Sequence, residues 1–399
     1  MRELAAELAV SPATVAAGYR TLKQRGLVNA SGRRGTAVAT QPPLLVRRAR
    51  PLPPDVRDLA RGNPDPSLLP PLAPALARID TEHKLYGEPA KLDRLVEHAR
   101  GDFGADGVHG EIAIVGGALD GIERVLQTRL RSGDAIAVED PTWPRITDLV
   151  HALGFVPTPV ALDEDGFIPA ALERALRAGV QAIIVTPRGQ NPTGAALDAR
   201  RGRTLRELIA AYPDVLVVED DYVAAVAGAE YVPLHGSTPH WAVIRSLSKV
   251  VGPDLRIALM AGDGLTISRV EGRQLLGPGW VSYLLQQTAA EILGRASTTK
   301  LLARAERAYA TRRRALIDAL AEHGIRACGR SGLGVWIPVP EEAAAVQSLL
   351  DHGWAVSPGE RYRFESPPGI RVTTTTLEAA EAKALAAALA ETGTETYAG

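Results

Sequence analysis

Six short runs of the chain are almost wholly apolar and rich in β-branched residues: Ile112–Val115, Ala135–Val138, Ala182–Val185, Val215–Val218, Ala242–Ile244 and Ile257–Met260. Continuous apolar runs of this length are what strands buried on both faces look like, because alternation is needed only where one face meets water. Helix-like stretches such as Ala118–Leu130 and Arg201–Ala211 lie between several of them. From about Asp58 the pattern therefore predicts an α/β body, a mostly parallel sheet covered by helices, with ligands at the carboxyl ends of its strands. A long helical region, about Val281–His323, leads on to a smaller α+β region from Arg326, with Val335–Pro338 and Ile370–Thr375 as strands.

Chemistry collects where the apolar runs end. One is followed by Thr186-Pro-Arg-Gly-Gln-Asn-Pro-Thr-Gly194, the next by Glu219, Asp220, Asp221 and Tyr222. The next leads into Ser246-Leu-Ser-Lys249, with Arg256 seven residues further on. An isolated lysine is ordinarily a solvated one. Lys249 differs, because it directly ends a buried strand and two hydroxyls precede it. A lysine held at a sheet edge near cations loses its proton more readily and can attack a carbonyl carbon.

The first 50 residues are of another kind. They hold nine Arg or Lys against two acids, although the whole chain has a net charge of −1. A basic head on an acidic body suits a polyanion-binding module. Arg2–Leu8 reads as a short helix with Leu4, Ala5 and Leu8 on one face, and Ala9-Val10 as a turn. Ser11 supplies the cap of a second helix with Pro12 at its first position, where the missing N–H costs nothing. That helix runs to about Arg25, with Val15, Tyr19 and Leu22 as its buried stripe, and Gly26 ends it. Leu27–Val38 reads as two short strands around a Gly- and Arg-bearing turn.

Two helices joined this way set the start of the second one in a DNA major groove. Pro12, Ala13, Thr14, Ala16 and Ala17 would face base edges, with Arg20, Lys23, Arg33 and Arg34 at phosphates. An amphipathic hairpin used for dimerisation is the alternative. Residues 39–57 are Pro-rich and basic, which makes a semi-stiff, extended linker.

Several classes are excluded. Cys328 is the only cysteine, so neither an intrachain disulfide nor a cysteine zinc cluster is possible, and no metal site is expected. No apolar run approaches the roughly 20 residues of a membrane helix. The N-terminus has no apolar core of a signal peptide, so a soluble, cytoplasmic protein is expected.

The N-terminal order Glu-Leu-Ala…Val-Ser…Thr-Val…Tyr-Arg-Thr-Leu…Gly-Leu-Val resembles the winged helix of GntR-type bacterial regulators. That family carries a further helix upstream. The resemblance therefore implies either a truncated start, with a start codon assigned too far downstream as the preferred reading, or a remnant module. In both cases it implies a small core and weakened DNA affinity. The strand-end set resembles the fold-type-I pyridoxal 5'-phosphate (PLP) aminotransferases over nearly all of residues 58–399. The resemblance implies that Lys249 forms the Schiff base, that Asp220 pairs with the pyridine nitrogen, and that Tyr222 and Asn191 hydrogen-bond the ring hydroxyl. Ser246, Ser248 and Arg256 would hold the phosphate, joined by the Gly117 and Ala118 amides of Gly116-Gly-Ala-Leu-Asp-Gly121. Trp143 in Glu139-Asp-Pro-Thr-Trp-Pro144 would stack on the ring. Arg371 in Pro368-Gly-Ile-Arg-Val372 would grip a substrate α-carboxylate beside Asn191, and Tyr86 in Leu85-Tyr-Gly-Glu-Pro89 would reach the phosphate of a second subunit. Arg188 either helps select the ligand or lies in solvent.

Asp220-Asp221-Tyr222 after Glu219, Gly332-Leu-Gly-Val-Trp-Ile-Pro-Val339, and a helical module fused to such a body together resemble the MocR-type regulators of the GntR superfamily. The resemblance implies a partial winged helix-turn-helix at 1–38, a linker at 39–57, a large PLP domain at 58–325 and a small C-terminal domain at 326–399. It implies PLP as cofactor, and as partners DNA, an amino-acid or amine effector and a second copy of the chain. The expected function is a transcription regulator that senses PLP or an amino compound through an aldimine at Lys249. The alternative is a working class I/II aminotransferase acting on an amino acid and a 2-oxo acid, with Lys249, Asp220 and Tyr222 as its catalytic residues.

Overall fold

The computed structural model describes residues 2–24, 28–30, 36–38 and 52–394. Helices α1 (Arg2–Glu7) and α2 (Pro12–Gln24) precede strands β1 (Val28–Ala30) and β2 (Thr36–Val38), which pair antiparallel. Ser11 caps α2, its Oγ accepting from the Thr14 amide at 3.1 Å, and Ala5 and Val15 are buried. Pro12, Ala13 and Thr14 stand exposed on the first turn of α2. The side chains of Arg20 and Lys23, the turn with Arg33 and Arg34, and residues 39–51 of the expected linker lie outside the described residues.

The expected linker ends at Arg57, and there β3 (Arg57–Asp58) opens the body. One sheet follows, built from β4 (Glu111–Val115), β5 (Ala135–Asp140), β6 (Val156–Asp163), β7 (Gly166–Phe167), β8 (Ala182–Val185), β9 (Leu216–Asp220), β10 (Trp241–Ser246) and β11 (Ala258–Gly262), in the order β4-β11-β10-β9-β8-β5-β6-β7. Strands β10, β9, β8, β5 and β6 run parallel, while β11 lies antiparallel between β10 and β4 and β7 caps the far edge. Successive strand residues enter opposite cores, as pleating requires. Ile112, Ile114, Ile183 and Val185 join Phe103, Leu172 and Leu205 on one face. Ala113, Val115, Ala182 and Ile184 join Ile122, Leu126 and Val150 on the other.

Strand β6, Val-Pro-Thr-Pro-Val-Ala-Leu-Asp, has no counterpart among the expected strands. Its prolines at 157 and 159 sit opposite Ile136 and Val138 of β5, and only Leu162 and Asp163 are paired on its other side. Proline is tolerated there because the missing N–H groups fall on an open edge.

The C-terminal unit carries β12 (Gly334–Pro338), β13 (Trp354–Ala355), β14 (Ser357–Pro358) and β15 (Gly369–Thr373). Strands β12, β15 and β14 form an antiparallel sheet, and β13 pairs with β3. Residues 57–59 therefore fold with the C-terminal unit. Leu59, 1% exposed, joins a core of Leu316, Leu320, Val335, Ile337, Leu349 and Ile370. The helix Ala296–Glu322 contributes its second half to that same core. Among the described residues, no helix is long and apolar enough to cross a membrane.

Asp140, at the end of β5, ties this unit to the large sheet. Its carboxylate accepts from the amides of Phe364 (2.9 Å), Glu365 (2.8 Å) and Ser366 (2.9 Å) and from the Ser366 hydroxyl (2.8 Å). Asp140→Ala strands those donors and should destabilise the fold by on the order of 3 kcal/mol, read as a lowered urea midpoint. Asp140→Asn keeps one acceptor and should lose less.

Candidate functional site

Strand β9 ends in Asp220, and Asp221 follows it with its side chain on the opposite side. Asp221 is fully buried and meets Arg188 with two bonds of 2.8 Å and Arg245 at 2.9 Å. Arg245 reaches on to Asp102 (2.8 Å) and Asp106, so the rear of the strand end is a closed charge network. Burial alone would raise the Asp221 carboxyl, but the two guanidinium groups hold it below the ordinary range. Arg188 belongs to this network and does not line the cavity in front of it, so neither expectation for it stands: its guanidinium is spent on Asp221.

Asp220 faces the cavity, and its Oδ1 is buried without a hydrogen-bond partner. Burial, then the charges of Asp221 and Glu139, push its carboxyl up to about 7. Glu139, on β5, is a residue the sequence reading passed over. It accepts from the Thr186 amide (3.0 Å), the Thr186 hydroxyl (3.1 Å) and Gln190 Nε2 (3.1 Å), which pins the loop carrying Asn191. Burial raises its carboxyl to about 7 as well.

Lys249 does not end β10. The strand stops at Ser246, and Leu247 and Val250 close a turn that delivers the lysine three residues later. The hydroxyls of Ser246 and Ser248 lie 2.8 Å apart on that turn. Lys249 Nζ donates to the Gly62 carbonyl at 2.6 Å. Burial, then the positive charges of Arg371 and Arg256, lower its ammonium to about 8. Roughly a tenth of such lysines are neutral at pH 7, against fewer than one in a thousand unperturbed ones.

Gly117 heads the helix Ala118–Arg129 with φ 112°. A Cβ there would lie 2.7 Å from Arg256 Nη2, so only glycine lets that guanidinium rest on the helix start. Arg371, on β15, donates to Asn191 Oδ1 (3.1 Å) and to the Ala60 carbonyl, stands 5.5 Å over the Tyr362 ring, and leaves its Nε without a partner. The Tyr222 hydroxyl donates to the Gly189 carbonyl at 2.8 Å and is held well above its ordinary range by burial.

One cavity of about 390 Å³ brings these together: Lys249, Asp220, Tyr222, Asn191, Ser246, Ser248, Arg256, Ala118, Trp143 and Arg371 all line it, with Gly117 behind Arg256. Tyr86 is not among them. It is 92% exposed and packs edge-on against Trp280 at 5.6 Å. Glu139, Tyr362, Ala60, Gly62 and Asn63 are lining residues the sequence did not point out. Among the described residues no cluster suited to a metal ion is present.

The chain is similar to known proteins. The family model for class I and II aminotransferases covers residues 55–389. The chain is 40% identical over 392 residues to the vitamin B6 salvage pathway transcriptional repressor PtsJ of Salmonella typhimurium, covering 97% of this chain and 91% of that one. It is 27% identical to the regulator TauR of Rhodobacter capsulatus, covering 85% of this chain and 78% of that protein. The fold is similar to that of the Pyrococcus horikoshii kynurenine aminotransferase, with a TM-score of 0.79 and 22% identity over 86% of this chain and 92% of that one.

The lowered Lys249 ammonium has a direct consequence, because only the neutral amine attacks. Reductive methylation with formaldehyde, followed by mass spectrometry across pH, should show Lys249 reacting with a midpoint near 8. Arg371→Leu removes a positive charge and should move that midpoint upward.

Proposed function

The chain belongs to the MocR-type regulators, whose body is of the class I and II aminotransferase family, and on that footing we propose that it is a DNA-binding transcription regulator answering to PLP, alone or with an amino compound. Its cofactor is PLP. The residues present fit that group. Asp220 has a buried oxygen awaiting a cationic N–H, and Gly117 leaves bare backbone beside Arg256 for a phosphate. Lys249, the amine lining the same cavity, has its ammonium lowered to about 8.

When bound, PLP supplies an aldehyde open to a primary amine and a ring that draws electron density from the carbon attached to it. The chain does the rest. Asp220 would pair with a cationic ring nitrogen, which would keep it a carboxylate. Ser246, Ser248, Arg256 and the amides of Gly117 and Ala118 bind the phosphate oxygens. Trp143 would cover one ring face, and Tyr222 with Asn191 would hold the ring hydroxyl. Lys249 is the nucleophile, and once free it can carry a proton. Arg371 offers a planar fork, with its Nε still unpartnered, to a ligand carboxylate beside Asn191.

A two-copy assembly would give Tyr86 its role: 92% exposed and outside this chain's cavity lining, it would complete the phosphate site of a partner. Pro12, Ala13 and Thr14 would meet base edges, and Arg20, Lys23, Arg33 and Arg34 would meet phosphates. Residues 1–38 would then be the DNA module, 39–57 the linker, 58–325 the large domain and 326–399 the small one, with residues 57–59 packed on the small domain. Such a regulator works in the cytoplasm. The observation that carries the reading is the length of the match to the PtsJ repressor, which at 97% of this chain takes in the helical module as well as the body. Transamination is the second reading, favoured by Lys249, Asp220 and Arg371 all reaching one cavity.

PLP added to the purified protein should raise a visible absorption band that Lys249→Ala abolishes. The same PLP should change affinity for a duplex selected by the protein from random-sequence DNA by about fivefold or more. DNA affinity blind to saturating PLP overturns the regulator. Catalytic exchange of amino groups between amino acids and 2-oxo acids, with no effect on DNA, assigns an aminotransferase instead.

A further inference from the structure

Both reactive ends of the cavity are tied to one short piece of chain. Lys249 Nζ donates to the carbonyl of Gly62 at 2.6 Å, and Arg371 donates to the carbonyl of Ala60. Gly62 lies against the Arg371 guanidinium, since a Cβ there would be 3.5 Å from Nη1. That piece is held at its start by strand pairing: the Arg57 amide donates to Gly353 (2.8 Å), the Leu59 amide to Ala355 (2.8 Å), and Thr373 to Leu59 (2.9 Å). At its end, Thr375 donates to the Asn63 carbonyl at 2.8 Å, and Arg312 pairs with Asp65 at 2.9 Å. Arg57 is also the last residue of the basic, Pro-rich stretch 39–57 and the first of strand β3. The first segment of the body met from the helical module is thus the segment that holds the two groups a ligand must take.

We propose that Ala60–Asn63 is a latch that reads occupancy of the cavity at two points, Gly62 for the lysine and Ala60 for the arginine, and passes it to residues 57–59 and the linker. The inference rests on the regulator reading above and specifies its regulation. The neutral Lys249 amine that bonds an aldehyde carbon gives up both its protons, which leave with the aldehyde oxygen as water. Its nitrogen then has none to donate to Gly62. A carboxylate on Arg371 competes with the Ala60 carbonyl for the same guanidinium. Each event removes a charged donor from a half-buried carbonyl, which favours a latch that has moved to find water or another partner. PLP alone releases the Gly62 point. An amino acid whose amine displaces Lys249 from the aldehyde carbon returns the lysine its protons for Gly62, while its carboxylate on Arg371 releases the Ala60 point. The two ligands therefore leave the latch in different states.

Hydrogen–deuterium exchange on the full chain tests this through the Arg57 and Leu59 amides, with β8 amides as the monitor of an intact fold. PLP should speed exchange at residues 57–59 about fivefold in the wild type. Lys249→Ala should exchange fast there without PLP and ignore its addition. Lys249→Arg keeps a donor for Gly62 but no nucleophile, and should stay protected and blind to PLP. Equal or slower exchange at 57–59 in the wild type with PLP visibly bound overturns the latch, and so does a Lys249→Ala protein as protected as the wild type. DNA binding in parallel separates the two readings. Faster exchange with PLP-blind DNA affinity sinks the regulator and leaves the latch. PLP-sensitive DNA affinity with unchanged exchange sinks the latch alone.

Discussion

The site depends on one feature of β geometry, that neighbouring side chains of a strand end face opposite ways. Asp220 and Asp221 are consecutive carboxylates, and together on one face they would repel each other out of the fold. Pleating sends Asp221 rearward, where Arg188 and Arg245 neutralise it, with Asp102 and Asp106 balancing the second positive charge. The strand end is thereby anchored by the rear carboxylate. The front one is free to stand unpaired in the cavity, and a buried carboxyl with an idle oxygen is tolerable only where a cationic ligand is due or a proton is kept. Glu139, fixed by three donors across the cavity floor, adds a second negative neighbour.

How much of this the sequence carried follows from what local pattern can encode. The parallel strands were legible because burial on both faces forces apolar runs, and the cap of α2 because Ser11-Pro12 states it in two residues. Strand β6 was hidden by its prolines, whose acceptability depends on an edge that exists only in the sheet. Arg188 reads locally as either ligand-selecting or solvated because nothing local says that Asp221 and Asp106, over 30 and 80 residues away in the chain, will claim it. Lys249 was recognised, but the turn that carries it past the end of β10 was not. Glu139 and Tyr362 gave no local signal at all. The first looks like any acid after an apolar run, and the second meets Arg371 only once β15 is in place. Tyr86 was separable only in structure, where it alone of the group neither lines the cavity nor backs a residue that does.

A regulator that keeps every group of a transaminase needs no special explanation once the latch is considered. Sensing requires that a ligand bind two arrangements of the protein unequally, and the inequality must come from contacts that one arrangement has and the other lacks. Here those contacts are the hydrogen bonds of Lys249 and Arg371 to the Gly62 and Ala60 carbonyls. Two charge-assisted hydrogen bonds, partly replaced by water on release, are worth about 1–3 kcal/mol, which is the usual size of an allosteric coupling. Weaker ties would leave the linker indifferent to the ligand. Much stronger ones would hold the latch shut against it. The nucleophile and the carboxylate fork are also the two groups whose chemistry guarantees that PLP and an amino acid will compete for them. A chain that must detect both has reason to retain the pair whether or not it turns a substrate over.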